Sequence, residues 1–300
     1  MTLRSLLFAP GDSPGKMEKA CGSGADAVIL DLEDSVAETA KPEARRQVAA
    51  FLSGRAAPRT PQVWVRINPL STPFALADLA AVAAAAPDGI VLPKPDSAAD
   101  LVKLDHYLTA LEAAAGLAVG AIRILPLATE TARSIFTLES YIGASARLSG
   151  LTWGAEDLPA AVGAATSREA DGSYTPPYQL ARSLCLFAAA AGGVDPVDTV
   201  YPAFRDLDGL AAYAARARRD GFAGMLAIHP AQVAVINQAF TPTAEEVAHA
   251  HRIIAAFDAA PGAGAVALDG RMVDLPHLKQ AQRILALDRL ETERASGAGA

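Results

Sequence analysis

Only two of the 300 residues are cysteine, Cys21 and Cys185, far apart in the chain and each on a helix-like stretch. Neither stands in CxxC or other metal-ligand spacing. That argues against a zinc site or a disulfide framework and leaves two reduced, buried thiols. Aromatic residues are scarce at 6%, and alanine supplies much of the 51% apolar content. Close-packed helices around a sizeable core are expected, and a disordered chain is not. Blocks of basic residues are missing: 26 Lys and Arg stand against 33 Asp and Glu, for a net charge of −7. Such a chain is a poor candidate for binding nucleic acid or an anionic membrane. Long apolar runs are missing as well. Proline, glycine or charge breaks each alanine-rich stretch short of the roughly 18 residues that a membrane span needs. The apolar run within Met1–Pro10 is too short for a signal-peptide core, so a cytoplasmic protein is expected.

Short runs rich in Val, Ile and Leu alternate with longer helical stretches. The runs are Ser5–Ala9, Ala27–Leu32, Val63–Asn68, Gly89–Pro93, Ile122–Ala128, Leu148–Trp153, Thr199–Tyr201 and Gly224–Ile228. Their near-continuous apolar character fits strands buried on both faces of a parallel sheet. Eight consecutive βα units make an α/β protein of the (β/α)8 TIM-barrel type, a fold that uses about 250 residues. An open doubly wound sheet is the rival, but it usually carries a GxGxxG turn after its first strand. Here that turn reads Pro10-Gly11-Asp12-Ser13-Pro14-Gly15-Lys16. It also misses the P-loop pattern, having three residues between its glycines and Met17 where Ser or Thr belongs. It is either an anion-binding turn, with backbone N–H groups and Lys16, or a plain βα connection.

The barrel, residues 1–232, is followed by an extension, 233–300, of a different kind. Thr243-Ala244-Glu245-Glu246 has capping-box spacing and opens a helix over Val247–Ala259. Val266–Asp274 reads as a hairpin turning at Asp269-Gly270. Pro276–Leu290 forms a last amphipathic helix before a small, flexible tail, 295–300. The extension has too little core to stand alone and must pack on its own barrel or on a neighbour's.

A barrel of this type places its chemistry at the C-terminal ends of the strands. The second strand ends in Asp31-Leu32-Glu33-Asp34, the third in Arg66-Ile67-Asn68 and the fourth in Pro93-Lys94-Pro95. The fifth gives Thr129-Glu130-Thr131, and the sixth Gly154-Ala155-Glu156-Asp157. Glu130 and Asp157, from adjacent strands, are either strand-end caps and ion-pair partners or two carboxylates converging on one cation. With no His or Cys beside them, that cation would be Mg²⁺, with Mn²⁺ a similar fit. Arg66 either offers its planar fork to a carboxylate or developing oxyanion, or pairs with Asp31, Glu33 or Asp34 next door. Lys94 as a Schiff-base nucleophile is the weaker reading, since Mg²⁺ and a Schiff base would be redundant means to one enolate. His229 reads as a packed strand-end residue rather than a ligand.

Four segments carry a resemblance in order: Arg4-Ser5-Leu6-Leu7-Phe8-Ala9-Pro10-Gly11-Asp12, Ala25–Asp34 with its Asp31-Leu32-Glu33-Asp34 end, Val65-Arg66-Ile67-Asn68-Pro69, and Gly154-Ala155-Glu156-Asp157-Leu158. Together they resemble the citrate lyase β-subunit family, within the Mg²⁺-dependent aldolase and malyl-CoA lyase group, from about Arg4 to Arg283. The resemblance implies a (β/α)8 barrel with a C-terminal helical extension. It implies Mg²⁺ held at Glu130 and Asp157, substrate contacts at Arg66, Glu130 and Ala155, and Asp34 in the same pocket. It also implies a homotrimer or hexamer in which the extension covers a neighbour's site, and an acid/base aspartate on that extension. Gly270-Arg271-Met272-Val273-Asp274-Leu275-Pro276 maps that role onto Asp274, with Asp269 a weaker candidate. The sequence departs from the family's pattern at Ala203, where relatives often carry Asp, and at Ala128-Thr129, where larger residues are common.

The implied activity is a carbon–carbon lyase that cleaves a citryl-, malyl- or citramalyl-type CoA thioester into acetyl-CoA and a 2-oxoacid, with Arg66 stabilising the enolate and Asp274 moving a proton. The alternatives are a malyl-CoA thioesterase or malate-synthase-like acyl-CoA enzyme, and a non-catalytic subunit that binds an acyl carrier protein.

Overall fold

The computed structural model describes residues 3–55 and 57–297. Eight parallel strands form one sheet: β1 (Ser5–Pro10), β2 (Ala27–Asp31), β3 (Gln62–Arg66), β4 (Gly89–Leu92), β5 (Arg123–Pro126), β6 (Gly150–Thr152), β7 (Asp195–Asp198) and β8 (Gly224–Ala227). Their order runs β5-β4-β3-β2-β1-β8-β7-β6. The seam between β5 and β6 is closed by parallel bridges, Ile124 to Leu148 and Leu127 to Thr152, so the sheet forms a nearly closed barrel. Between the strands stand α1 (Pro14–Cys21), α2 (Lys41–Ser53), α3 (Ala75–Val82), α4 (Ala98–Ala114), α5 (Asp157–Val162), α6 (Pro176–Ala191) and α7 (Leu207–Asp220), with α8 (Pro230–Phe240) after β8. The βα alternation has the same cause here as in the pattern of runs. Strands buried on both faces must be apolar throughout, and the crossover helices cover the outside. The barrel interior is filled by Leu6, Ala27, Ile29, Trp64, Val91, Leu125, Leu127, Val197 and Leu226.

One strand lies elsewhere than expected. β7 is Asp195–Asp198, ahead of Thr199–Tyr201, which is instead the start of the loop at the barrel mouth. Its sequence, Asp-Pro-Val-Asp, hides it. Proline is uncommon in a central strand, and charge at both ends removes the apolar signature. Both cysteines are free thiols; Cys185 is buried and Cys21 is only partly covered. Burial pushes both thiols up from their ordinary pKa.

The chain divides into two compact units, the barrel up to Asn237 and the segment from Gln238 onward. The second unit holds α9 (Ala244–Asp258), β9 (Ala265–Leu268), β10 (Arg271–Asp274) and α10 (Leu275–Gly297). Thr243 and Glu246 close the expected capping box at the start of α9. The antiparallel hairpin turns at Asp269 and Gly270, both with positive φ, as such a tight turn requires. Ala250, Ile253, Phe257, Val273, Ala281 and Leu285 form a small core of this unit's own. The segment expected as a flexible tail is helical through Gly297, and residues 298–300 lie outside the described residues. Among the described residues no helix is long and apolar enough to cross a membrane.

Candidate active site

The parallel register sets the first charged pair. β2 and β3 are aligned so that their last residues, Asp31 and Arg66, are neighbours. Arg66 donates from Nε to Asp31 Oδ1 and from Nη2 to Asp31 Oδ2, both at 2.7 Å. Such a bidentate fork is the strongest geometry for a guanidinium and carboxylate. Arg66 Nη1 also lies 2.9 Å from Glu33 Oε2 and 3.4 Å from Asp34 Oδ2, and the Phe8 ring lies beneath the guanidinium. Burial works against the charge of Asp31, but the Arg66 bonds and the N–H groups of Glu33 and Ser35 hold its carboxyl below the usual range. Of the two readings of Arg66, pairing with the neighbouring acids is present in the structure. The same side chain also lines the cavity described below.

The loop after β2 is pinned from below. The buried Lys41 ammonium donates to the carbonyls of Leu32 (2.9 Å) and Glu33 (2.8 Å). Glu33, which the sequence showed only as one acid in a run, is turned inward and is 4% exposed. Its Oε1 accepts from Lys94 Nζ at 2.6 Å. Burial raises its pKa to about 7, against the opposing charges of Arg66 and Lys94.

Lys94 is the centre of the second cluster. Its backbone lies in the left-handed region at φ 50°, a conformation that costs a non-glycine residue roughly 1 kcal/mol or more. Two interactions hold it there. Its N–H donates to Glu130 Oε2 at 2.6 Å, and its ammonium reaches Glu33, Asp34 (3.5 Å) and Asp157 (3.3 Å). Burial opposes the ammonium, but Glu33, Glu130 and Asp157 together raise its pKa above the ordinary lysine value. A lysine whose ammonium is favoured beyond the ordinary value is a poor Schiff-base nucleophile.

Glu130 follows β5 and is 4% exposed. Burial, then the charges of Asp157 and Glu33, push its carboxyl well above the usual range. It has room only because residue 154 is glycine: a β-carbon there would lie 3.0 Å from both Glu130 Cδ and Oε1. Asp157 opens α5 beyond this glycine. Asp34, Arg66, Glu130, Ala155 and Asp157 all line one cavity of about 440 Å³ at the strand ends. Apolar side chains, among them Phe8, Trp153 and Ile228, complete its lining.

Five carboxyls thus surround two fixed cations, Arg66 and Lys94. Glu130, on the Lys94 N–H, and Asp157, beside the Lys94 ammonium, form an all-oxygen donor set. Among the described residues no three His, Cys, Asp or Glu side chains group tightly enough for an all-protein metal cage. Mg²⁺ does not require one, because it takes one or two carboxylates and fills its other positions with water and substrate oxygens. The donor chemistry therefore fits Mg²⁺, at a spot where the carboxylates' own repulsion is partly relieved by one lysine.

The remaining candidates are not among the residues that line this cavity. Asp274 belongs to the second unit, where its Oδ1 lies 2.5 Å from His277 Nδ1, a contact that lowers its pKa. Gly11 spends its N–H on Asp31 O (2.8 Å), so that turn packs against β2, while Lys16 is exposed. His229 stacks on Phe204, in keeping with a packed strand-end residue. Sequence reasoning passed over Asp198, the last residue of β7, which is completely buried and hydrogen-bonded to Trp153 on the cavity wall.

Residues 4–230 match the family described as HpcH/HpaI aldolase/citrate lyase. The chain belongs to that family. Within and around it, the chain is 36% identical over 303 residues to an L-malyl-CoA/beta-methylmalyl-CoA lyase of Cereibacter sphaeroides, covering 94% of this chain and 93% of the relative. It is 38% identical over 290 residues to a (3S)-malyl-CoA thioesterase of the same species, with the same coverage. Among solved structures, protein CitE from Mycobacterium tuberculosis in complex with magnesium, acetoacetate and coenzyme A superposes with a TM-score of 0.79 at 36% identity, covering 96% of this chain and 98% of the other. A citrate lyase beta subunit from M. tuberculosis complexed with oxaloacetate and magnesium gives 0.68, also at 36% identity, covering 80% of this chain and 98% of that one. In this aldolase/citrate lyase barrel the charged cluster stands at the strand ends, where the fold places its chemistry.

Proposed function

We propose that this protein is a Mg²⁺-dependent lyase that cleaves a 3-hydroxy-acyl-CoA thioester of the malyl, citramalyl or citryl type into acetyl-CoA and a 2-oxoacid. The observation that carries the reading is the meeting of Glu130, Asp157 and the Arg66 fork in one cavity. The lyase and the magnesium- and CoA-bound neighbours support it.

Glu130 and Asp157 would hold the metal, and Mn²⁺ would serve in its place. When bound, the ion supplies Lewis acidity toward the carboxylate and hydroxyl of the acid half. In the cleavage direction the 3-hydroxyl gives up its proton to a base and the C–C bond breaks. The bond's electron pair passes to the thioester half as an enolate. Arg66 sets a preorganised positive charge against that enolate oxygen, and the Asp31 fork keeps its plane fixed. Asp34 and Ala155 border the acid half. Asp274 hands a proton to the acetyl carbon, or removes one in the condensing direction. The barrel, 1–232, is the catalytic domain in this reading. The extension, 233–300, packs across a subunit interface of a homotrimer or hexamer in the cytoplasm.

The test is a panel of citryl-, malyl- and citramalyl-CoA with Mg²⁺, scored for acetyl-CoA and 2-oxoacid. We expect cleavage of one of them, abolished by EDTA and restored by Mg²⁺. Full turnover in metal-free buffer would eliminate the mechanism. The 38%-identical thioesterase relative favours a second reading, hydrolysis of the thioester by admitted water. Free CoA released without acetyl-CoA would establish that one instead. An acyl carrier protein in place of CoA would show as turnover only with the carrier-bound thioester.

A further inference from the structure

Asp198 closes β7 beneath the mouth of the barrel and is 0% exposed. A buried carboxylate is costly unless its oxygens are filled, and these are. Oδ1 accepts from Trp153 Nε1 (2.6 Å), from its neighbour Thr199 N (2.9 Å) and from Tyr213 OH (3.1 Å). Oδ2 accepts from Arg182 Nε (3.0 Å) and Nη2 (2.8 Å). Arg182 is itself held by Asp220 through Nη1 at 2.8 Å. Charge and hydrogen bonds are thus balanced on the outer side by α6 and α7, and one bond is directed inward, to the indole of Trp153.

That inward bond falls on a sensitive segment. Trp153 is fully buried, lines the 440 Å³ cavity, and immediately precedes Gly154. Gly154 is the residue pressed against Glu130, and its N–H donates to Thr129 Oγ1 at 3.1 Å. Three residues further on stands Asp157. The stretch 153–157 therefore sets how far one carboxylate stands from the other, and it is tied down at two points, Trp153 to Asp198 and Gly154 to Thr129. An indole has a single N–H, so the bond to Asp198 is the one hydrogen bond the Trp153 side chain donates, while Tyr174 packs edge-on against the same ring at 5.0 Å.

We propose that Asp198 is a positioning residue for the divalent site: by anchoring the Trp153 indole, it sets the course of residues 153–157 and with it the spacing of Glu130 and Asp157. The proposal rests on the reading of those two carboxylates as the metal-binding pair. It differs from a general stabilising role in direction. Tyr213 bonds the same carboxylate but does not line the cavity, so its loss touches the fold and not the spacing.

The experiment is a Mn²⁺ titration of the chelator-treated protein, followed by electron paramagnetic resonance, on Trp153→Phe, Asp198→Asn, Tyr213→Phe and Asp157→Ala. Trp153→Phe keeps a ring in the cavity wall and removes only the donor and the larger arm. It should weaken Mn²⁺ affinity about tenfold or more, the usual size of an effect transmitted to a metal ligand by its support. Asp198→Asn should do the same. Tyr213→Phe should bind Mn²⁺ within about twofold of the parent, even where its melting temperature falls. Normal affinity in Trp153→Phe, or equal losses in Trp153→Phe and Tyr213→Phe, overturns the proposal, whether or not Asp198→Asn folds. Normal affinity in Asp157→Ala would show that the metal-site reading itself is wrong, and the proposal falls with it. That result is distinct from a proposal that fails while Asp157→Ala loses the ion.

Discussion

Gly154 and Glu130 occupy each other's space: the missing β-carbon of the glycine is the room taken by the glutamate, which a methyl group there would overlap at Cγ and approach to 3.0 Å at Cδ and Oε1. A carboxylate in a buried wall thus depends on a neighbour with no side chain. Gly154→Ala should retain the barrel while displacing Glu130. Overpacking of this kind costs about 1–3 kcal/mol, and a misplacement near 1 Å at reacting groups costs about 100-fold in rate. Steady-state kinetics alongside thermal unfolding check this. A variant with parental kcat/KM would mean that Glu130 does not need its present position.

Arg66 meets Asp31 through two parallel bonds that a lysine cannot reproduce. Arg66→Lys keeps the charge and loses the fork. We expect kcat to fall about 100-fold or more, the size of effect seen when a preorganised donor to a developing oxyanion is lost. The exchange of solvent deuterium into the methyl group of acetyl-CoA isolates the enolisation step. Unchanged exchange in Arg66→Lys would remove Arg66 from that role.

Lys94 places one positive charge among Glu33, Asp34 and Asp157. Lys94→Met leaves these acids to repel one another, so the metal-free protein should melt lower. The same loss deepens the negative potential that a divalent ion feels. By linkage, the rise in melting temperature on adding Mg²⁺ should then be larger in the variant than in the parent. Differential scanning fluorimetry with and without Mg²⁺ reads both quantities, and an equal or smaller rise would contradict the charge argument.

Glu33 has its pKa raised from 4.5 to about 7, chiefly by burial. A group whose folded pKa lies above its unfolded value favours folding while both states are protonated, and loses that contribution as pH climbs through the folded value. Glu33→Gln cannot ionise. The stability of the Gln variant relative to the parent should therefore increase as pH rises from about 4.5 to about 7 and level off above it. Urea unfolding of both proteins across that range measures the difference. A flat difference would mean that Glu33 titrates normally.

The residues at the strand ends were readable because strand ends follow from the run pattern, and the run pattern follows from burial on both sides of a parallel sheet. Arg66, Glu130, Ala155, Asp157 and Asp34 could be assigned to one mouth on that basis alone. Lys94 could be placed there too, but not with its three acidic partners, since a lysine between two prolines says nothing of what lies across the barrel. β7 escaped notice because Pro196 and two aspartates mask a four-residue strand, and with it went Asp198.

Composition and periodicity by themselves determined the barrel, the absence of a membrane-length apolar run and the order in which charged residues reach the mouth, because these depend on local burial repeated along the chain. Tertiary structure alone decided which charges meet. Asp198 finds Trp153 across 45 positions and Lys94 finds Glu33 across 61. Electrostatic pairing is a matter of a few ångströms through space, which the closing of the barrel creates and which no spacing along the chain encodes.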